Sequence, residues 1–119
     1  GTPGAELRPS LDQKPVHFIV RKGYRPNIDS YSAFLENDKS TETGLFQLIP
    51  EGTELFICGI ATDICVLNTA LDTKKGFFDG VTIIEDACAG VTPAGEREAL
   101  AQMKRSAIII RTTQDVLEF

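Results

Sequence analysis

The sequence predicts an α/β fold with a parallel sheet between two layers of helices, because short apolar runs alternate along the chain with segments of helical character. The apolar runs are continuous and rich in β-branched residues, which is typical of parallel strands that are buried on both faces. The chain has 119 residues, enough for one domain with a real core and too few for two. We therefore expect a single three-layer α/β/α domain over residues 1–119.

The predicted elements of the first half are a strand, a long irregular segment and a short helix. Residues 16–21 read V-H-F-I-V-R and predict a strand that ends before Gly23. Residues 23–43 are rich in the turn formers Pro, Asn, Asp and Ser and are predicted to be irregular. A loop of that length usually has a function. Residues 43–48 predict a short helix that Pro50 closes.

The second half alternates strands and helices. Gly52 and Gly59 bound the first apolar run of this half, and Gly76 stops the helix that follows it. Thr92 and Pro93 suit the cap and the first turn of the last helix. The predicted strands of this half are 54–58, 81–84 and 107–110, and the predicted helices are 63–75 and 93–104.

Composition and charge exclude several classes of function. The formal charge is −5 and the twelve Lys and Arg residues are scattered, so nucleic acid is not an expected partner. No apolar run is long enough to cross a membrane. The chain has three cysteines, Cys58, Cys65 and Cys88, and no two of them form a C-x-x-C pair. This odd number and spacing disfavour disulfides and structural zinc, and they favour a reducing, cytoplasmic location. Cys58 and Cys88 are expected to fill buried apolar space.

Cys65 is placed where a thiol can act as a nucleophile. In the run G-I-A-T-D-I-C-V at 59–66, it follows a buried strand and falls in the first turn of the next helix, which Thr62 or Asp63 can cap. Free N–H groups and the helix dipole favour the thiolate there and can hold an oxyanion, whereas Asp63 places a negative charge nearby. The alternative is a buried cysteine that only fills space.

A lysine is predicted to reach the same edge of the sheet. Lys22 directly follows the strand at 16–21, and Cys65 follows the strand at 54–58 across a short turn. The carboxyl ends of parallel strands meet at one edge of a sheet, where ligands bind, so this cation can lie near the thiol. The alternative is an ordinary solvated surface lysine.

Five stretches of the chain together form a specific combination. They are Gly1-Thr2-Pro3-Gly4-Ala5-Glu6, Arg21-Lys22-Gly23, Asp29-Ser30-Tyr31-Ser32-Ala33-Phe34, Gly59 to Val66, and Asp86-Ala87-Cys88-Ala89-Gly90-Val91. In these stretches the chain resembles the nicotinamidase/pyrazinamidase branch of the isochorismatase-like amidohydrolases, whose fold is Rossmann-like. The resemblance implies hydrolysis of nicotinamide to nicotinate and ammonia through a cysteine thioester, a step of NAD salvage.

The resemblance also implies roles for individual residues. Cys65 would be the nucleophile and Lys22 the catalytic lysine. The Ile60–Ala61 peptide bond would be cis, and the N–H groups of Ala61 and Cys65 would form the oxyanion hole. Tyr31 would be the aromatic residue against which the pyridine ring packs.

Part of the family's pattern has no counterpart in this sequence. The family's catalytic aspartate and its metal ligands precede the G-T-P-G stretch, and His17 lies inside a predicted strand, so we expect no metal ligand in this chain. A divalent metal, with zinc preferred, is expected in the complete enzyme. The family's strand order is 3-2-1-4-5-6, so the first two strands are expected to be missing. We therefore expect these residues alone to be inactive, and to form a homo-oligomer or to pair with a complementing upstream fragment.

Two other functions stay open from the sequence. One is hydrolysis of another small amide, such as a ureido or carbamoyl compound, for which a carboxylate on the substrate would favour binding by Arg25. The other is a non-catalytic assembly module that keeps the fold.

Overall fold

Three parallel strands and four α-helices form the framework of the protein. The computed structural model describes residues 2–118, so Gly1 and Phe119, the two ends of the expected domain, lie outside the described residues. The strands are β1 (Glu54–Ile60), β2 (Gly80–Ala89) and β3 (Ile109–Arg111), and the α-helices are α1 (Leu45–Leu48), α2 (Leu67–Asp72), α3 (Pro93–Arg105) and α4 (Thr113–Leu117). Short 3-10 turns lie at Pro3–Ala5 and Thr73–Lys75, and a π-helical turn lies at Thr62–Val66. The strands pair in the order β1-β2-β3, all parallel, which confirms the predicted α/β class.

The register of β1 against β2 changes just before the end of β1. Ile57 pairs with Ile83, but Gly59 pairs with Cys88, so four residues of β2 lie opposite a single residue of β1. Gly59 has a φ of +126°, which a residue with a side chain rarely adopts. The irregularity therefore lies where β1 leaves the sheet, and the π-helical turn begins two residues beyond the end of β1.

The core lies between the sheet and helices α2 and α3. Ile57, Ile83 and Ile110 occupy the same face because they are register partners across the three strands. The buried members of the cluster on this face are Val66, Ala70, Ile83, Ala99, Met103 and Ile108. Val66 belongs to the π-helical turn, so the core directly supports the segment that carries Cys65.

The opposite face of the sheet is less covered than the continuous apolar runs predict. Burial alternates along β1, and Phe56 and Ile109 on this face are each 43% exposed. Their register partner Thr82 is only 1% exposed, since it lies on the central strand. Burial on both faces is thus observed for the centre of β2, whereas β1 and β3, at the edges of the described sheet, are half-covered.

The strand predicted at 16–21 is wrong. These residues form no strand, and all but Val20 are exposed. A strand needs a neighbour to take its main-chain hydrogen bonds, and within the described residues none of the three strands pairs with this segment. The apolar pattern was therefore insufficient to define a strand there.

The helix predicted at 63–75 is composite. It begins as the π-helical turn, continues as α2 and ends in the 3-10 turn before Gly76. The N-cap is Ala61, with no side-chain cap, so the prediction that Thr62 or Asp63 caps it is wrong. In contrast, the Oγ1 of Thr92 accepts a hydrogen bond of 3.0 Å from the N–H of Gly95 and caps α3 as predicted.

The long irregular segment has a small core of its own. We call residues 22–43 the lysine loop. Phe34 and Leu35 are 2% and 4% exposed, and the Phe34 ring stacks on Phe46 with a centroid distance of 4.4 Å. The N–H of Ala33 donates to Oγ1 of Thr69 on α2 at 2.9 Å. The loop therefore packs on the helix that follows Cys65, although it forms only one isolated bridge between described residues.

Candidate active site

The turn that carries Cys65 is held by main-chain hydrogen bonds. The Ile60–Ala61 peptide bond is cis. The carbonyl of Ala61 accepts from the N–H of Ile64 at 3.1 Å and from the N–H of Val66 at 3.0 Å, so the two residues that flank Cys65 bond to one acceptor. Cys65 is half-buried with a free thiol. Its position depends on the backbone of this turn and on the core beneath Val66.

The carboxylate of Asp63, which was expected to place a negative charge near Cys65, bonds to the loop before α3. Its Oδ1 accepts a hydrogen bond of 3.0 Å from the N–H of Val91, in the loop before α3. The same carboxylate lies close to Gly95, where an added Cβ would be 2.5 Å from Oδ2. Asp63 therefore links the Cys65 turn to the first turn of α3, where the helix dipole favours a negative charge.

Lys22 meets Cys65 from a position 43 residues earlier in the chain. Its Nζ lies 3.5 Å from Sγ of Cys65 and donates a hydrogen bond of 2.7 Å to the carbonyl oxygen of Ser30. The cationic end of Lys22 therefore lies beside the sulfur atom of Cys65. The two residues that were expected at one edge of the sheet are thus brought together, although the strand expected to carry Lys22 is absent.

The lysine loop is fixed by an arginine at its centre. The Nε of Arg25 donates to Glu36 at 2.7 Å, and its Nη2 donates to Asp38 at 2.8 Å and to Thr41 at 2.7 Å. Glu36 is completely buried. These contacts raise the pKa of the Arg25 guanidinium, first through Glu36 and then through Asp38. Hydrogen bonds from Thr41 and Ser40 hold the pKa of the Asp38 carboxyl well below its usual range.

Arg25 is therefore a structural residue in this protein. All the polar contacts described for its guanidinium are with its own loop. The idea that Arg25 binds a substrate carboxylate is not supported, because that charge is already paired with two carboxylates.

The remaining candidates lie in different surroundings. Tyr31 follows Ser30 on the lysine loop and is 40% exposed. His17 is exposed. Cys58 is exposed and Cys88 is half-buried, so the expectation that both are fully buried is wrong: Cys58 lies on the open face of β1, and Cys88 lies at the register change. Burial raises the pKa of the Cys88 thiol.

Sequence reasoning missed the contacts of Asn37 with the segment that precedes it on the lysine loop. Asn37 donates from its N–H to the carbonyl of Asp29 at 2.9 Å, and its Oδ1 accepts from the N–H of Tyr31 at 3.1 Å. Asn and Asp residues at 37 and 38 are typical turn formers, which is the signal that could have identified this turn. Nothing in the spacing indicated that the turn would bond back to residues 29 and 31.

The described residues offer no site for a metal ion. Within residues 2–118 no group of three or more His, Cys, Asp or Glu side chains is arranged to hold one. A cavity of about 720 Å³ is lined by residues that include Glu6, Ile19 and Arg21, and neither Lys22 nor Cys65 lines it. None of the described helices has both the length and the apolar character needed to cross a membrane.

Known proteins are similar to this chain in sequence and in fold. The family model for the isochorismatase domain matches residues 1–115. A nicotinamidase of Acinetobacter baylyi is 42% identical over 120 aligned residues, which cover 98% of this chain and 56% of the relative. Another nicotinamidase, from Escherichia coli, is 40% identical over an alignment that covers 87% of this chain and 49% of the relative. The chain thus spans about half the length of the curated relatives that it matches.

Solved structures agree with the sequence relatives. The structure of PnC1 from L. infantum in complex with nicotinate has a TM-score of 0.88 at 33% identity, and the match covers 96% of this chain and 58% of that one. The pyrazinamidase of Pyrococcus horikoshii in complex with zinc has a TM-score of 0.78 at 34% identity, with 93% and 58% coverage.

Proposed function

Since this chain belongs to the isochorismatase-domain family, we propose that it contributes the nucleophile half of a nicotinamidase, an enzyme that hydrolyses nicotinamide to nicotinate and ammonia. The observation that carries the proposal is the 3.5 Å contact between Nζ of Lys22 and Sγ of Cys65. It is supported by relatives named nicotinamidases and by a similar structure that contains nicotinate.

The first step would be attack of the Cys65 thiolate on the carboxamide carbon. A C–S bond forms and the carbonyl electrons move to oxygen, which becomes an oxyanion. The N–H groups of Ala61 and Cys65 would donate to this oxyanion from the turn that β1 presents. The positively charged Nζ of Lys22 would lie beside the attacking sulfur atom, as its 3.5 Å distance from Sγ indicates.

The second step would break the C–N bond of the tetrahedral intermediate. The leaving ammonia needs a proton, which the family resemblance assigns to an aspartate in a segment that has no counterpart in this sequence. Water then attacks the thioester, which releases nicotinate and restores the Cys65 thiol. Tyr31, exposed on the lysine loop next to Ser30, would pack against the pyridine ring.

Further features of the complete enzyme are part of the same proposal. We expect a divalent metal, with zinc preferred because the similar pyrazinamidase is a zinc complex. The described residues do not fit a metal site, so none of the steps above passes through the metal. The three free cysteines suit a reducing cytoplasm, and NAD salvage is the expected role. A homo-oligomer or a complementing upstream fragment is the expected partner.

The test is ammonia release by the full-length protein supplied with divalent metal. Nicotinamide should be hydrolysed, and an N-carbamoyl amino acid of similar size should not, because Arg25 is not free to bind its carboxylate. After acid quenching during turnover, the peptide that contains Cys65 should carry a nicotinoyl group by mass. Hydrolysis of the carbamoyl compound alone would assign the protein to another small-amide hydrolase. Absence of any turnover would favour the non-catalytic module.

A further inference from the structure

We propose that Asn37 is a positioning residue of the active site, which aims Lys22 at Cys65 by fixing the peptide plane between Ser30 and Tyr31. The inference rests on the proposed function for its consequence in catalysis. Its geometry and its first readout, the reactivity of a thiol, need no substrate.

The lysine ammonium makes two contacts, one with a carbonyl oxygen and one with the thiol. Nζ of Lys22 donates 2.7 Å to the carbonyl oxygen of Ser30 and lies 3.5 Å from Sγ of Cys65. A lysine side chain is long and loses considerable rotamer entropy when it is held in one place. The Ser30 carbonyl is therefore the group that selects the rotamer in which the ammonium faces the thiol.

The Ser30 carbonyl belongs to a rigid peptide group whose N–H is also hydrogen-bonded. The C=O of Ser30 and the N–H of Tyr31 belong to the same planar peptide group. The N–H of Tyr31 donates to Oδ1 of Asn37 at 3.1 Å. Because the plane is rigid, an acceptor on its N–H fixes the direction of its C=O. Loss of Oδ1 would leave this peptide free to rotate and would release the hydrogen bond to Lys22.

Asn37 is itself anchored on both sides. Its own N–H donates to the carbonyl of Asp29 at 2.9 Å. Its chain neighbours, Glu36 and Asp38, both bind the guanidinium of Arg25. A buried carboxylate paired with a forked cation is held in a defined geometry. Arg25 is thus connected to Lys22 through the chain neighbours of Asn37, then Asn37 itself, and then the Ser30–Tyr31 peptide.

A merely structural role for Asn37 predicts a different result from a positioning role. If Asn37 is merely structural, its replacement would loosen the whole loop. Its effect on the reactivity of Cys65 would then add to that of any change at Lys22. A positioning residue acts only through Lys22, so its effect should vanish once Lys22 is replaced. A double-mutant cycle separates these cases.

The experiment measures the rate of iodoacetamide alkylation of Cys65 at neutral pH by peptide mapping, in the full-length protein. Cys58, which is exposed, is the internal reference in every sample. The variants are Lys22→Met, Asn37→Ala, Asn37→Ser, Asn37→Asp and the double variant Lys22→Met/Asn37→Ala. Serine keeps a polar side chain but is too short to put an oxygen at the Oδ1 position, whereas aspartate keeps that oxygen.

We expect Lys22→Met, Asn37→Ala and Asn37→Ser each to slow alkylation of Cys65 roughly three- to tenfold, since the first removes the cation beside the sulfur atom and the other two release it from its position. Asn37→Asp should stay within about threefold of the wild-type rate, and the double variant should match Lys22→Met alone. Alkylation of Cys58 should be unchanged throughout.

Three results would overturn the inference: additive effects in the double variant, no rescue by aspartate, or no effect of Lys22→Met on Cys65. If alanine unfolds the loop, faster hydrogen exchange of residues 22–43 reveals it, and the serine and aspartate variants then decide. Nicotinamide hydrolysis is measured in parallel. A non-additive cycle without turnover in any sample would leave the positioning role standing and would refute the proposed function.

Discussion

The two halves of the candidate site are built in different ways. Cys65 lies on a turn between a strand and a helix, and main-chain hydrogen bonds and the core residue Val66 hold that turn. Lys22 lies on an irregular loop that side-chain hydrogen bonds hold, chiefly those of Arg25 and Asn37. The nucleophile depends on regular structure, and its cation depends on a polar network.

This difference indicates where each half is vulnerable. A main-chain turn above a packed core is lost only when the core or the backbone conformation changes. A polar network depends on charge and on single oxygen atoms, so it responds to conservative substitutions and to pH. Perturbations of the core should therefore affect Cys65 and global stability, and perturbations of charge should affect Lys22 with little effect on the fold.

The largest expected effect is on turnover, where the two halves have unequal roles. Cys65→Ala should reduce nicotinamide hydrolysis on the order of 10⁵-fold or more, because it removes the nucleophile. Lys22→Ala should reduce kcat by about 10²-fold, because the thiol remains and loses only a supporting charge. Cys58→Ala is the matched control and should be close to wild type. Equal losses for the cysteine and the lysine would contradict this division of roles.

The next effect is on the core beneath the turn. Met103 is completely buried in the cluster that includes Val66. Met103→Ala should lower the free energy of unfolding by about 2–5 kcal/mol through the lost contacts and the cavity. The control is the neighbouring exposed residue Lys104. Lys104→Ala should change the free energy of unfolding by less than about 0.5 kcal/mol. Urea denaturation followed by circular dichroism measures both.

A smaller effect is expected where the Cys65 turn meets α3. A Cβ at Gly95 would be 2.5 Å from Oδ2 of Asp63, whereas a Cβ at Gly80 would find its nearest atom at an ordinary 3.7 Å. Gly95→Ala should therefore displace the carboxylate from the N–H of Val91 and lower the free energy of unfolding by about 1 kcal/mol, net of the better helix propensity of alanine. Gly80→Ala serves as the comparison. If Gly95→Ala is more stable than wild type, the Asp63 carboxylate moves without cost, and its link between the Cys65 turn and α3 contributes little to stability.

The smallest effect concerns acid and the lysine loop. The pKa of Asp38 in the folded protein is below that of the unfolded chain, so its contribution is complete above about pH 5 and is lost as the pH falls below about 4. Hydrogen exchange of residues 36–41 at pH 3 and pH 6 should show less protection at pH 3. In Asp38→Asn, which cannot ionise, the protection should depend less on pH in this range. An identical pH dependence in the variant would assign the acid sensitivity to another group.

Much of the second half could be predicted from the sequence. The strands predicted at 54–58 and 81–84 and the helix predicted at 93–104 are all present, and they follow from apolar runs, Gly boundaries and the Thr92 cap. The continuation of β2 to Ala89 was not predicted. The position of Cys65 after a strand is also local, since it depends on residues within one turn. The composite nature of the helix that follows was not predictable, because a π-helical turn is stabilised by its surroundings and has no composition of its own.

The geometry of the lysine loop could not be predicted in the same way. The segment at 16–21 has the pattern of a strand and is not one, since pattern does not supply a neighbour for pairing. Arg25, which the sequence left open as a carboxylate-binding residue, is paired with Glu36 and Asp38. Both outcomes depend on contacts between residues distant from one another or within an irregular loop, which no periodicity reports.

By itself the sequence determined the α/β class, the order of the elements between residues 50 and 111 and the presence of a cysteine in a strand-to-helix turn, because these depend on local pattern. The last helix, α4, was not predicted. Only the tertiary structure decided that Lys22 faces Cys65 across 3.5 Å, that it bonds to the carbonyl of Ser30, and that Asp63 turns toward α3. The physical reason is that a hydrogen bond requires a few tenths of an ångström of precision between groups. Sequence spacing places groups on an element, and only packing between elements brings them to that distance.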